Sequence, residues 1–150
     1  AFSDEVMEQI IQVIRRKSDA AAKSAGLPEE LMPVVEVKPD GTPSVVNNTE
    51  LLKKCINSYR KVLGNENVYE VPPATVGEDF ARYGRTEEQI PICLTWLGSV
   101  NVDKHNSYKK QGKELPALHS PYYYPDPEPI IKIGSSAMVQ AIIDLMNEKE

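Results

Sequence analysis

The sequence predicts an α/β chain, and three observations carry that expectation. Helical and extended patterns alternate in the order helix, strand, helix, strand, strand, helix, which is an α/β or α+β order. Residues 90–97 form an almost continuous apolar run, the pattern of a strand covered on both faces in an α/β sheet. And 150 residues can bury roughly 68–70% of the surface of the unfolded chain, enough for a proper core.

The elements follow in order. Ser3 is a fair N-cap, with Asp4 and Glu5 placed to complement the helix dipole. Val6, Ile10, Val13, Ile14, Ala21 and Ala25 recur at helical spacing, and Gly26 with Pro28 stops the helix near residue 25. Arg15-Arg16-Lys17 reads as a solvated face. Val34-Val35-Glu36-Val37 is short, β-branched and bounded by Pro33 and Pro39, so a strand is expected. Pro39-Asp40-Gly41 is a turn, and residues 38–47 connect two structural units.

Asn48 and Glu50 open a second helix, whose apolar face runs from Leu51 to Leu63 before Gly64. Val68-Tyr69-Glu70-Val71 is expected as a strand closed by Pro72-Pro73, and a short helical stretch near Glu78–Tyr83 follows. Residues 99–117 are polar and read as a long loop. Pro125, Pro127 and Pro129 bar regular helix around them, so the last helix is expected to begin near Glu128–Ile131.

Composition excludes several classes of partner. The net charge of −5 opposes phosphate-backbone binding, so no nucleic acid is expected. No apolar run approaches the roughly 18 residues of a membrane span, so no membrane is expected. The first residues lack the basic and apolar regions of a signal peptide, and the opening Ala1 suggests a chain trimmed or cut from something longer. Cys55 and Cys93 form no Cys-x-x-Cys pair and read as small buried hydrophobes of a reducing, cytoplasmic compartment.

Few residues can do chemistry. His105, in a polar loop, is expected exposed. His119, between Leu118 and Ser120-Pro121, is a plausible metal ligand, yet a zinc site needs three or four ligands and no His-x-x-x-His or Cys-x-x-Cys partner is nearby. A nucleophile drawn from Cys93 or Ser120, with His119 as base and Asp126 as orienter, has no supporting motif. Glu78 and Asp79 are adjacent carboxylates in a loop after a glycine, where a helix N-terminus would favour them. Glu29-Glu30 and Glu87-Glu88 read as solvated surface.

One resemblance rests on residues spread along nearly the whole chain. They are Pro43-Ser44-Val45-Val46-Asn47-Asn48, Val62-Leu63-Gly64, Pro72 through Phe80, Trp96-Leu97-Gly98, Leu118-His119-Ser120-Pro121 and Ile133-Gly134. In order and spacing they resemble the C-terminal part of the di-metal amidohydrolases, the group of hippurate hydrolase, N-acyl-amino-acid hydrolase and aminoacylase/carboxypeptidase. The resemblance implies a zinc-exopeptidase-like catalytic domain with a ferredoxin-like lid that mediates dimerisation. Residues 1–42 would be half of that lid and residues 43–150 the C-terminal part of the catalytic domain.

It further implies that His119 is the last metal ligand and that Glu78 and Asp79 lie near the substrate pocket. The parent would carry two divalent metal ions, zinc by default with manganese or cobalt as options, and would cleave the amide bond of N-acyl amino acids or small peptides. The family's His-x-Cys-Gly-His-Asp-x-His run does not occur in this sequence, and neither Glu29-Glu30 nor Glu87-Glu88 has the context or position of its glutamate pair. This chain alone is therefore expected to be inactive, with no complete catalytic set, and to associate with itself through residues 1–42. The competing expectation is a non-catalytic interaction module that retains the fold.

Overall fold

The computed structural model describes residues 3–39 and 41–147. Asp40, at the centre of the expected Pro39–Gly41 turn, lies outside them. The chain divides into two compact units. One is formed by Ala1–Asn48 with Pro72–Leu94, the other by Thr49–Val71 with Thr95–Glu150.

The first unit contains helix α1, Asp4–Ser24. Its start follows the sequence: the Ser3 hydroxyl accepts the Val6 N–H at 3.2 Å, and Asp4 and Glu5 fill the first turn. Its end also follows, at Gly26 with φ +71, where only glycine is free of strain. Arg85 grips Asp4 with two hydrogen bonds, 2.6 and 3.1 Å, and so ties the short 3₁₀ helix Asp79–Arg85 to the start of α1. That contact lowers the Asp4 carboxyl pKa and raises that of the Arg85 guanidinium. Arg82 donates to the Gly41 carbonyl at 2.8 Å. Within α1 only Ala22 is buried; Val6, Met7, Ile10, Val13 and Ile14 stay 41–47% exposed, so the apolar stripe is uncovered.

The second unit is built on α2, Thr49–Leu63, packed against α4, Pro127–Asn147. Small residues make the close approach: Cys55 and Ser58 on α2, Ala137 and Ala141 on α4. Ser58, 2% exposed, donates its hydroxyl to Asp144 Oδ2 at 2.6 Å. Lys61 reaches Asp144 Oδ1 at 2.8 Å and Gln140 donates to it at 3.0 Å. Lys61 and then Ser58 hold the Asp144 carboxyl below its usual pKa. At Gly134 the helix meets Leu97, whose Cδ2 would lie 2.9 Å from any added Cβ. Helix α3, Val102–Lys110, completes the unit.

Four expectations need correction. The α/β class with half of a ferredoxin-like lid is overturned: the described residues contain helices and no β-strand. Residues 34–37, 68–71 and 90–97 follow no regular element. A strand exists only through its ladder, and β-branched residues favour strands because they pack on a pleated, half-buried surface. Here that surface is missing: Val34 is 82% and Tyr69 78% exposed.

Residues 99–117 are not a plain loop, because α3 occupies their middle. Asn101 caps it, accepting the Asp103 N–H at 2.7 Å, and Lys109 and Lys110 sit in its last turn. The prolines do not bar helix at 127: Pro127 and Pro129 occupy the first turn of α4, where backbone N–H groups have no helical acceptor.

The expectation drawn from the lack of a long apolar run also changes. α4 is long and apolar enough to cross a membrane by length and composition alone, because its Ile, Val, Leu and Met residues outweigh the interruptions at Lys132, Gln140 and Asp144. Cys55 is buried as expected and Cys93 is half-buried.

Candidate functional site

His119 lies in the second unit, on a pair of consecutive turns. The Ser120 N–H donates to the Ala117 carbonyl at 3.0 Å, and the Tyr123 N–H donates to the Ser120 carbonyl at 3.0 Å. The Ser120 hydroxyl accepts the Tyr122 N–H at 3.2 Å and locks the junction. His119 takes the third position of the first turn with φ +67, a place where glycine or asparagine is ordinary. Holding a histidine there costs on the order of 1 kcal/mol. Its side chain is exposed and makes no hydrogen bond with another described residue.

The donor set does not make a metal centre on its own. No group of three or more His, Cys, Asp or Glu that could hold a metal occurs among the described residues. His119 is thus one candidate ligand of a set that these residues leave unfilled. Asp126, once weighed as its orienter, serves the backbone instead: its carboxylate accepts the Asn101 N–H at 2.6 Å and its own N–H donates to Ser99 O at 2.9 Å. His105 is exposed on α3, and Glu29, Glu30, Glu87 and Glu88 are exposed as expected.

Glu78 and Asp79 lie in the first unit. Glu78 is the N-cap of the Asp79–Arg85 helix, and its Oε1 accepts the Phe80 N–H at 3.1 Å. Asp79 is exposed in the first turn, on the favourable side of the backbone dipoles. The glycine before them makes a close approach: a Cβ at Gly77 would stand 2.7 Å from Thr42 Oγ1, so a larger residue there would have to displace that hydroxyl. The apolar run is held nearby through Asn47, whose side-chain amide both accepts from the Leu94 N–H and donates to the Leu94 carbonyl, each at 2.8 Å. Asn48 N–H adds a bond to Ile92 O at 2.9 Å.

Sequence reasoning missed one feature. A pocket of about 140 Å³ lies in the second unit between α3 (Lys104, Tyr108), Leu115-Pro116 and the tyrosines at 122–124. The three consecutive tyrosines were the available signal, since aromatic residues in a segment that cannot be helix or strand core need another purpose. Lys104 is half-buried there; its ammonium donates to the Tyr124 carbonyl at 3.3 Å and lies 5.7 Å from the Tyr124 ring centre.

No curated protein and no solved structure matches the chain. The sequence profile of peptidase family M20/M25/M40 matches residues 5–118, most of the chain and ending one residue before His119. The match takes in the Gly77–Phe80 loop, the Asn47 clamp and α3, so the chain belongs to the peptidase family M20/M25/M40.

Proposed function

We propose that this chain is part of a metal-dependent hydrolase that cleaves the amide bond of N-acyl amino acids or small peptides, in the manner of hippurate hydrolases, aminoacylases and related carboxypeptidases. Membership of a peptidase family over residues 5–118 carries the reading. The exposed imidazole of His119, carried on a turn, is available as a ligand, which supports placing it at the site. His119 would be one ligand of a divalent ion, zinc by default, with the other donors supplied from outside this chain. Glu78 and Asp79 would border the substrate through the loop they cap. The chain is inactive alone, acts in the cytoplasm, and associates with a second copy through residues 1–42, where the stripe of α1 is uncovered.

A second reading is a non-catalytic interaction module. The observation that favours it is the unfilled donor set among the described residues.

The test compares His119→Gly with wild type in the intact protein, assayed for metal content and for hydrolysis of N-benzoylglycine and N-acetyl amino acids. Glycine suits the positive φ, so the turn persists while the imidazole is lost. Loss of most of the activity together with bound metal, at unchanged circular dichroism, is expected. Full metal occupancy with near-normal turnover would remove His119 from the site.

A further inference from the structure

We propose that the pocket between α3 and the tyrosine segment binds the carboxylate of a small aromatic acid, with Lys104 as its counter-charge and the tyrosines as its walls. The inference rests on the hydrolase reading for its place in catalysis, because it assigns this pocket to one end of the substrate. It stands on three features of the second unit.

The first is charge. Lys104 is half-buried, and among the described residues no carboxylate pairs with it. Its one acceptor is the Tyr124 carbonyl at 3.3 Å, which leaves ammonium donors for an anion. A partly desolvated lysine beside an aromatic ring is a favourable place for a carboxylate.

The second is shape. The depression of about 140 Å³ is open to solvent on the side of Tyr122 and Tyr124 and has room for one benzene-sized ring laid against its half-buried side. Leu115 and Pro116 supply apolar surface, while Tyr108 and Tyr123 are half-buried and rigid about their rings. An aliphatic acid would fill the same space without the ring contacts.

The third is rigidity. Asp126 accepts from Asn101 at 2.6 Å and Lys104 bonds Tyr124, so the tyrosine segment is tied to the first turn of α3 before any ligand arrives. A backbone tied in advance lowers the ordering cost of binding. In sequence His119 falls between Pro116 and Tyr122, which both line the pocket, so the candidate metal ligand is carried on the segment that joins two of its lining residues.

Calorimetric titration of the intact protein with benzoate, and with benzylamine as the charge-reversed probe, tests this. Benzoate should bind wild type, with affinity at least tenfold weaker in Lys104→Met and severalfold weaker in Tyr122→Ala; benzylamine should not bind. Tyr122 is 79% exposed, so its truncation leaves the fold intact and decides the matter if Lys104→Met does not fold. Absence of benzoate binding in wild type, equal affinity in the folded variants, or benzylamine binding as well as benzoate would each overturn the proposal. The readout needs no turnover. A protein that binds benzoate in this way but hydrolyses no amide would refute the hydrolase reading and keep the site; one that hydrolyses amides but ignores benzoate would do the reverse.

Discussion

Replacing Asn47 should release the apolar run 90–94, and the size of the effect follows from two bonds. The side-chain amide imitates a peptide group: its oxygen takes the Leu94 N–H and its nitrogen serves the Leu94 carbonyl, both at 2.8 Å. Each such bond contributes about 1 kcal/mol net, so Asn47→Ala should cost about 2 kcal/mol of local stability. The Leu94 amide should then exchange with solvent about 30-fold faster, since 1.4 kcal/mol is a factor of ten. Asn47→Asp separates the two bonds. Its carboxylate still accepts the Leu94 N–H, but its second oxygen faces the Leu94 carbonyl without a proton to share. Only the neutral acid can donate there, so its folded pKa is raised above the ordinary value of about 3.9. The loss relative to wild type is therefore full near neutrality and shrinks as pH falls through the raised value. Amide exchange followed by NMR at about pH 7 and about pH 3 reads both effects. An Asn47→Ala protein whose Leu94 amide exchanges at the wild-type rate would refute the clamp.

Two further outcomes are expected. Because Lys61 and Ser58 depress the Asp144 carboxyl pKa, its contribution to stability is complete above the unfolded value near 3.8 and is lost as pH falls through the lower folded value; Asp144→Asn should flatten the acid limb of the thermal midpoint, and identical pH slopes would refute this. The uncovered stripe of α1 should drive self-association, so sedimentation should give a dimer for wild type and a monomer for Ile10→Glu with Ile14→Glu; a monomeric wild type would remove α1 as the interface.

The helices were legible because their signals are local. Ser3 before Asp4-Glu5, and Gly26 and Gly64 after the last apolar turns, set the bounds of α1 and α2 to within a residue or so. α3 escaped because it lacks an apolar stripe: Val102 is its one aliphatic residue, and only its cap and its end charges betray it. The expected strands failed for the opposite reason. Val34–Val37 and Val68–Val71 carry the right residues, but a ladder depends on a partner that no local pattern specifies. The site was legible in the same uneven way. Glu78 could be read as a helix-opening residue, and it is one. The left-handed backbone of His119 could not be read, because positive φ is usually announced by glycine and here falls on an imidazole before Ser120-Pro121.

The choice between hydrolase and interaction module turns on His119 rather than on apolar surface. α4 is rich in aliphatic residues, yet only Ala137 and Ala141 are buried, while Ile131, Met138 and Met146 are 57–80% exposed. A helix of that kind requires cover on its other faces. α1 makes the same demand through Val6, Ile10 and Ile14. Both readings meet it equally, one with the remainder of an enzyme and the other with a partner. A docking module, by contrast, needs no particular residue at the third position of the Ala117–Ser120 turn, and glycine there would relieve a cost on the order of 1 kcal/mol. Gln89 holds a positive φ as well, so the backbone at His119 does not by itself decide between the readings, whereas the metal content of His119→Gly does. Membership of a peptidase family over residues 5–118 is what makes hydrolysis the stronger reading.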